Sequence, residues 1–265
     1  MANKSEGGIG EFIRTVVWAL LIAGVFRTLF FQPFWIPSGS MKDTLLIGDF
    51  LFVNKMAYGY SRYSCPFASP NFSPCPISGR VLGSEPERGD VVVFRHPTRN
   101  VDFIKRLIGL PGDKIQMVGG VLHINGAPVK LEDGGMFAEP YARQGPQQSL
   151  PRCLNDTIPV GDDCLKARQY ETLPNGVRHS ILNIAENARS DDTPVFTVPE
   201  GQYFFMGDNR DNSEDSRVPQ SIGGVGYVPA EYIVGRADRI MFSSAGRSLF
   251  FFWTWRPDRF FKAVE

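Results

Sequence analysis

An apolar segment close to the N-terminus constrains this chain more than any other feature. Residues 13–31 read IRTVVWALLIAGVFRTLFF, and Arg27 is the only charge after Arg14. About 20 helical residues span the ~30 Å hydrocarbon core of a bilayer, and a long side chain near a helix end can reach the interface. We therefore predict a transmembrane anchor over 13–31, preceded by a cytoplasmic N-terminus, 1–12.

Two other structures could give the same apolar segment. A cleaved secretory signal ends in small residues of the A-x-A type, whereas Phe31, Gln32 and Pro33 follow here, so we do not expect cleavage. A buried helix of a soluble domain stays open as the second alternative. We expect Gln32, Pro33 and Trp35 to end the helix at the membrane interface, where aromatic residues are favoured.

The four cysteines form two pairs, each close in the sequence. Cys65 and Cys75 bracket CPFASPNFSPC, and Cys153 and Cys164 bracket CLNDTIPVGDDC. Neither pair has a CxxC motif or a histidine at the spacing of a zinc site. We predict two short-range disulfides in an oxidising compartment, which favours the bulk of the chain lying outside the cytoplasm. The two other connectivities among four cysteines stay open.

Beyond residue 40 the chain consists mainly of short apolar runs separated by turn signals. The turn signals include PGD (111–113), GG (119–120), NG (125–126) and PEG (199–201). Short apolar runs bounded by turn residues are typical of strands, so we predict a mainly β fold with an antiparallel β-sheet core. The apolar runs are DFLFVNKM (49–56), DVVVFRHP (90–97), VDFIKRLIGL (101–110), DKIQMVGGVLHING (113–126), PVFTVPEGQYFFMGD (194–208) and YVPAEYIVGRADRIMFS (227–243).

The predicted core is divided by an insertion. It occupies residues 32–130 and 193–248, and the polar segment between them, 131–192, is interpreted as an inserted, loop-rich subdomain. The aromatic C-terminal segment, 249–265, is too charged to span a bilayer, and two locations stay open for it: the membrane surface and the aromatic rim of the core. Formal net charge is zero, so no general basic field favours nucleic acid as a partner.

A serine with small neighbours follows the apolar segment directly. The sequence PSGSMKDTL occupies residues 37–45, with Ser40 in its middle. A serine hydroxyl needs an adjacent base to act as a nucleophile, and small neighbours let a substrate backbone approach. An ordinary turn would use the same residues and stays open as the alternative. At most ~30 Å of extended chain separates Ser40 from Phe31, so this hydroxyl must lie near the membrane surface.

A lysine lies within the apolar run DFIKRLI, residues 102–108. In a strand, alternation places Phe103, Lys105 and Leu107 on one face and Arg106 on the other. Desolvation on a buried apolar face favours a neutral amine, which is the form that a general base requires. A solvated edge lysine is the alternative.

The third distinctive segment, GDNRDNSEDSR (207–217), contains no bulky apolar residue. Such a loop either lies in solvent or supplies hydrogen bonds to a site. Its Asp, Asn and Ser residues suggest a calcium loop, but no glycine follows at the sixth position, and Arg210 and Arg217 would oppose a cation.

Four blocks in this order resemble bacterial type I signal peptidases (leader peptidases), which are serine peptidases with a Ser-Lys dyad. The blocks follow an N-terminal membrane segment, as they do in that family. They are PSGSMKDTLLIGDFLFVNK (37–55), ERGDVVVFRHP (87–97), DFIKRLIGLPGDKI (102–115) and GDNRDNSEDSR (207–217).

The resemblance implies a role for each matching residue. Ser40 corresponds to the nucleophile and Lys105 to the general base. Ser38 corresponds to a hydroxyl that joins the Ser40 amide in the oxyanion hole, and Ser213 to a serine that hydrogen-bonds and orients the lysine. Supporting positions around the dyad are Gly207, Asp215 and Arg217. Positions that shape apolar substrate pockets are Phe34, Ile36, Met41, Leu45, Phe103 and Ile104.

One residue departs from the family pattern, because Asp43 stands where the family usually has proline. We expect its charge to alter the rim of the substrate pocket or the pH dependence, without removing a catalytic group.

The resemblance further implies a membrane-bound endopeptidase that removes N-terminal signal peptides from exported preproteins. The implied location is the bacterial inner membrane, crossed once, with the catalytic domain on the periplasmic side. Implied partners are signal peptides, membrane lipid and the secretion translocon, and no cofactor or metal is expected. The alternative function is a catalytically inactive, membrane-tethered binding module of the same fold.

Other serine enzymes fit less well. A penicillin-interacting acyltransferase requires S-x-x-K, whereas Lys42 follows Ser40 by two residues. A self-cleaving repressor has a DNA-binding module that is not recognised here. Ser-His catalysis would depend on His96, His123 or His179, and we expect His96 at the surface.

Overall fold

The computed structural model describes residues 8–65, 68–69, 72–145, 147–246 and 251–265. The first seven residues of the predicted cytoplasmic segment and the start of the aromatic C-terminal segment, to residue 250, lie outside this description.

The N-terminal apolar segment forms an α-helix, α1 (Ile9–Leu29), none of whose side chains is buried. The helix is long and apolar enough to cross a membrane. It begins earlier than the predicted 13–31, and it also ends earlier, because Phe31 already belongs to a strand, β1 (Phe31–Trp35). Pro33 and Trp35 therefore lie in this strand. Because β1 is at the edge of its sheet, a proline without an N–H is tolerated there.

The strands that follow β1 are β2 (Asp49–Asn54), β3 (Tyr60–Ser61), β4 (Arg80–Val81), β5 (Val91–Arg95), β6 (Asp102–Gly109), β7 (Lys114–Val118), β8 (Val121–Ile124), β9 (Ala127–Pro128), β10 (Lys130–Pro140), β11 (Asp163–Thr172), β12 (Arg178–Asn183), β13 (Phe196–Thr197), β14 (Gln202–Met206), β15 (Val228–Pro229) and β16 (Ile233–Ser243).

Four antiparallel sheets are formed by these strands. The largest has seven strands in the order β1-β2-β16-β5-β6-β14-β15, and a four-stranded sheet has the order β13-β7-β8-β9. The prediction of a mainly β, antiparallel fold with one N-terminal apolar helix is confirmed.

Both faces of the seven-stranded sheet are buried around β5. Val92 and Phe94 pack on one face, where the Phe94 ring stacks on Phe205 with centroids 4.6 Å apart. Val91 and Val93 are buried on the opposite face. Apolar burial of this kind contributes roughly 25 cal/mol per Å². The neighbouring strand β6 therefore crosses an apolar environment.

The inserted segment contains regular structure of its own. Strands β10, β11 and β12 form a three-stranded sheet with a long loop between β10 and β11, and these strands were not identified from the polar sequence. A disulfide joins Cys153 to Cys164 at β11, and another joins Cys65 to Cys75. The predicted pairing is confirmed for both.

The described part of the C-terminal segment packs against the core on one side and is exposed on the other. Arg259 donates two hydrogen bonds to the buried Asp49, at 3.0 and 2.6 Å, and the Trp255 ring lies 6.1 Å from that of Phe242. Phe252 and Trp253 are 68% and 69% exposed. Of the two locations left open for this segment, contact with the aromatic rim of the core is therefore observed. The exposed rings of Phe252 and Trp253 are also available for contact with a membrane surface.

We expect Arg259→Ala to lower the free energy of unfolding by about 3 kcal/mol, because it leaves the buried Asp49 carboxylate without its closest cation. The midpoint of urea unfolding in detergent measures this change. Arg239→Ala is the control, because Arg239 is exposed and donates one hydrogen bond to the Phe261 carbonyl; its effect should stay within about 0.5 kcal/mol. Equal effects of the two variants would contradict the importance of the buried pair.

Candidate active site

Ser40 lies in the loop between β1 and β2, here called the serine loop (residues 36–48). Hydrogen bonds of 2.9 Å from Ile36 N to Asp49 O and from Gly48 N to Ile36 O close the base of this loop. Ser40 is only 8% exposed, and its Oγ lies 2.7 Å from the Nζ of Lys105 on β6. The fold thus brings these two predicted site residues into direct contact.

Lys105 is surrounded by apolar groups and is 4% exposed. Val92 is its partner across the sheet, and the Phe103 ring centroid lies 5.1 Å from Nζ. Burial lowers the pKa of Lys105 from 10.5 to about 8, although nearby carboxylates, Asp215 foremost, raise it. Because desolvation outweighs these charges, a useful fraction of the amine is neutral near pH 7.

The 207–217 loop binds the backbone of the serine loop directly. Asn209 N donates to Ser40 O at 3.0 Å, and Asn209 Nδ2 donates to Gly39 O at 2.9 Å. Two donors from one residue therefore hold the backbone on both sides of the Gly39–Ser40 peptide bond. Of the two alternatives left open for this loop, hydrogen bonding to a site agrees with the burial of Asp208 and Asn209.

A buried ion pair ties the same loop to β6. Arg106 Nε and Nη2 donate to the two oxygens of Asp208 at 2.9 and 2.8 Å, and Thr44 Oγ1 of the serine loop donates to Asp208 at 2.5 Å. Burial alone would raise the pKa of Asp208, but the Arg106 guanidinium outweighs it and lowers this pKa. The carboxylate therefore stays charged and joins three segments.

A second buried pair lies within the loop itself. Arg217 Nε and Nη2 donate to Asp215 at 2.9 and 2.8 Å, and Gly207 N donates to the same carboxylate at 3.0 Å. Burial would raise the pKa of Asp215, but Arg217 outweighs it and the pKa is lowered. The pair closes the loop on itself, which fixes the start of the loop beside Ser40.

Gly207 is required by close packing. A Cβ at this position would lie 2.2 Å from Ser213 Oγ and 2.6 Å from Ser40 O. Because a backbone oxygen cannot move aside as a flexible side chain can, the loop reaches Ser40 only if residue 207 lacks a side chain.

The two remaining predicted serines lie near the contact without joining it. Ser38 is exposed, and its Oγ lies 3.5 Å from that of Ser40. Ser213 Oγ is buried and close enough to the Asp215 carboxylate to help lower the pKa of that group, but no hydrogen bond links it to Lys105. Lys105 Nζ instead donates its other hydrogen bond to the Ile104 carbonyl, at 2.9 Å.

The predicted substrate-pocket residues fall into two groups. Ile36, Met41 and Leu45 are fully buried in one apolar cluster, so they form the base of any pocket rather than its surface. The partly buried residues, which are available for contact at the surface, are Phe34, Phe103 and Ile104.

A buried charge cluster beside Ser40 was missed in the sequence. Lys42 and Lys166 both pair with the Glu139 carboxylate, and Lys42 Nζ also donates to Gln144 Oε1 at 2.8 Å. Burial lowers the pKa of Lys42. Only Lys42 lay in a recognised motif, and nothing in the sequence signalled that the inserted segment would fold back against it.

Asp43 also contacts the inserted sheet. Its Oδ2 accepts hydrogen bonds from Ser180 Oγ at 3.0 Å and from Arg168 Nη1 at 3.3 Å. The charge at this position is therefore engaged between the serine loop and strands β11 and β12.

The expectation that His96 lies at the surface is wrong. Its side chain is fully buried, with the ring 4.7 Å from that of Phe103, because β5 is covered on both faces up to its end. Arg99 Nη2 lies 2.9 Å from His96 Nε2. No group of three or more His, Cys, Asp or Glu residues in the described ranges could hold a metal ion.

Comparison with protein families matches residues 9–242 to the family described as "Signal peptidase, peptidase S26". The chain belongs to this family. The resemblance inferred from the four sequence blocks is thereby confirmed, and this member of the signal peptidase family is a hydrolase.

Similar members of the signal peptidase family occur in Rickettsia. The chain is 41% identical to the signal peptidase I of Rickettsia typhi over 250 residues, which cover 91% of this chain and 83% of that protein. It is also 41% identical to the signal peptidase I of Rickettsia prowazekii, over 91% of this chain and 81% of that one. A solved signal peptidase I from Enterococcus faecalis V583 is 26% identical and covers 58% of this chain and 97% of its own, with a TM-score of 0.29, which is too low to support a structural argument.

We expect Gly207→Ala to reduce peptidase kcat/KM at least about 100-fold, because misplacement of a reacting group by about 1 Å has that effect. The added methyl should also cost about 1–3 kcal/mol of stability. A fluorogenic peptide assay and thermal unfolding measure the two effects. In Gly24→Ala, the control, the new methyl meets nothing within 4 Å, and full activity of both variants would contradict the close packing.

Proposed function

We propose that this signal peptidase removes N-terminal signal peptides from exported preproteins, with Ser40 as the nucleophile and Lys105 as its general base. The observation that carries the proposal is the 2.7 Å distance between Lys105 Nζ and Ser40 Oγ within a buried site. A neutral amine at this distance can take the hydroxyl proton directly.

The proposed reaction has two steps. Ser40 Oγ attacks the carbonyl carbon of the scissile bond while Lys105 takes the hydroxyl proton, and a tetrahedral oxyanion forms. When the C–N bond breaks, the Lys105 ammonium gives its proton to the leaving amine, and an acyl-enzyme remains on Ser40. Lys105 then takes a proton from water as the water attacks the ester. When the ester C–O bond breaks, the Lys105 ammonium returns this proton to Ser40 Oγ, and the carboxylic acid product leaves.

Ser38 and the backbone amide of Ser40 are the proposed oxyanion donors. The Ser38 hydroxyl lies beside that of Ser40, and the Ser40 N–H donates to no described residue. A free N–H and a free hydroxyl at one position can both turn towards a developing oxyanion, where one such donor is worth ~10²–10³ in rate.

We propose that the 207–217 loop positions Ser40 and β6 and takes no part in the reaction itself. Its contacts reach the Gly39–Ser40 backbone, β6 and Thr44, as described above. Ser213, which the resemblance assigns to lysine orientation, lies against Gly207. We retain that role as a proposal for the substrate-bound enzyme, in which catalytic hydrogen bonds often tighten.

Membrane lipid is the second proposed partner. The 21 residues of α1 give a length of about 30 Å, and their side chains are exposed. Ring contacts run from the end of β1 towards the C-terminal segment, from Trp35 to Phe50 at 6.2 Å and from Phe50 to Phe242 at 4.3 Å. The rings at the two ends of this region, Trp35 and Trp253, are exposed, and exposed aromatic side chains are favoured at a membrane interface.

These features favour the bacterial inner membrane, with the catalytic domain on the periplasmic side. Two disulfides are expected in an oxidising compartment, and α1 leads into β1 immediately before the serine loop. The substrate would then lie in the same bilayer as the enzyme. An interaction with the secretion translocon is part of the same proposal.

We expect Lys105→Met to reduce preprotein cleavage by about 10⁴-fold or more, because it keeps the volume of the side chain but removes the base. Lys105→Arg should fail equally, since a guanidinium stays protonated. Cleavage of a model preprotein in detergent measures the loss, with unfolding curves to verify folding. Ser213→Ala, which keeps both dyad members, should lose less activity.

Substantial cleavage by Lys105→Met would exclude the proposed base. Failure of the unaltered enzyme to cleave any preprotein would favour the inactive binding module instead.

We also expect kcat/KM to rise with pH through about 8. Lys105 acts as a base only when neutral, so its active fraction should fall about tenfold for each pH unit below its pKa. The Glu214 carboxylate raises this pKa, so Glu214→Gln should move the rise to lower pH. A pH–rate profile between pH 5.5 and 10 tests both, and a flat profile would contradict the lysine assignment.

A further inference from the structure

A cavity of about 380 Å³ borders Ser40 on one flank of the serine loop. Its walls come from three parts of the chain: the serine loop at Ser38–Ser40, the inserted segment from Ser149 to Arg152, and the 207–217 loop at Asn209 and Asn212. The cavity is therefore lined both by the proposed nucleophile and by a surface that the insertion contributes.

The position of the cavity identifies which part of a substrate would enter it. Phe34 and Ile104, which remain available to contact the residues before the scissile bond, are both absent from its lining. A peptide bond held at Ser40 extends in two directions, and in the proposed function its acyl side would contact these apolar residues. The cavity on the other flank is then available for residues after the scissile bond.

Positive charge predominates in this cavity. Its lining contains Lys42, Lys166 and Arg152 but only one carboxylate, Glu139, which already pairs with both lysines. Arg152 Nη1 donates to the carbonyl of Asp211 at 2.9 Å, and Arg152 forms no ion pair with a carboxylate in the described ranges. A negatively charged substrate group would therefore find one cation without a carboxylate partner, Arg152, above a pair of lysines that share a single carboxylate.

Arg152 is also held in place. The adjacent Cys153 is joined by a disulfide to Cys164 on β11, and Leu154 N donates to Leu165 O at 2.8 Å. An exposed arginine on a fixed backbone loses less freedom on binding than one on a loose loop.

We propose that this cavity is the subsite for the first residues of the mature protein, and that Arg152, with Lys42 and Lys166 beneath it, selects an acidic side chain there. The inference rests on the proposed function and names a substrate feature of the same site. It assigns to the insertion a role in substrate selection.

The test uses full-length enzyme in detergent and a set of model preproteins that share one signal peptide. They differ only in carrying Asp, Asn or Lys at each of the first three positions after the cut. We expect kcat/KM to be highest for Asp and lowest for Lys at one or more positions. The expected ratio of Asp to Asn is about two- to five-fold, as for a partly exposed charge pair, and it should decrease with added salt.

Variants at residue 152 assign the preference. Arg152→Glu should reverse the order of the Asp and Lys substrates, and Arg152→Lys should retain the order. Arg189→Glu is the control, because Arg189 is an exposed arginine of the same insertion outside the cavity lining. It makes the same charge change and should leave the preference intact.

Equal kcat/KM for all substrates would overturn the subsite while leaving the proposed function in place. A preference that Arg152→Glu and Arg189→Glu weaken to the same extent would also overturn it, since only a general field would then act. Absence of cleavage for every substrate would overturn both proposals.

Discussion

The contact between the Lys105 amine and the Ser40 hydroxyl depends on the removal of water, and the rest of the site serves that condition. A lysine in water, with a pKa near 10.4, is neutral about once in a few thousand molecules at pH 7. With its pKa lowered to about 8, Lys105 is neutral about once in ten. That gain of roughly 200-fold requires the apolar surroundings of Lys105, where Phe103 of β6 and Val92 of β5 exclude solvent. In the proposed mechanism, Lys105 can therefore act as a base only because the β-sheet core buries it.

Charged groups close to this amine oppose its neutral form, and the structure limits their effect by pairing. Asp208 and Asp215 both raise the pKa of Lys105, yet each is bound to an arginine, Arg106 or Arg217. The paired cations oppose the field that the carboxylates exert. Breaking such a buried pair costs about 3–5 kcal/mol, so the pairs also fix the 207–217 loop in one position against Ser40.

Two different surfaces meet at the serine loop. On one side, α1 and a series of aromatic rings supply the apolar surface that we propose contacts lipid. On the other, the inserted sheet brings Glu139 and Lys166 to Lys42, and Arg152 to the wall of a cavity beside Ser40. A substrate tethered in the bilayer and extending into the periplasm would pass from the first surface to the second, with the scissile bond between them.

The sequence alone determined the apolar helix, the strand character of most apolar runs, the short-range cysteine pairs and the family, because each depends on neighbouring residues or on a fixed spacing. It also identified Ser40 and Lys105, through motifs that carry them. It could not predict the strands of the insertion, because their polar residues show no clear alternation of apolar and polar positions. Nor could it predict the burial of His96, which depends on the elements that cover it. Only the tertiary structure decided the cluster around Glu139, the cavity at Arg152 and the 2.7 Å approach of Lys105 to Ser40. Charge pairing and desolvation act between residues far apart in the chain, so their strength exists only once the chain has folded.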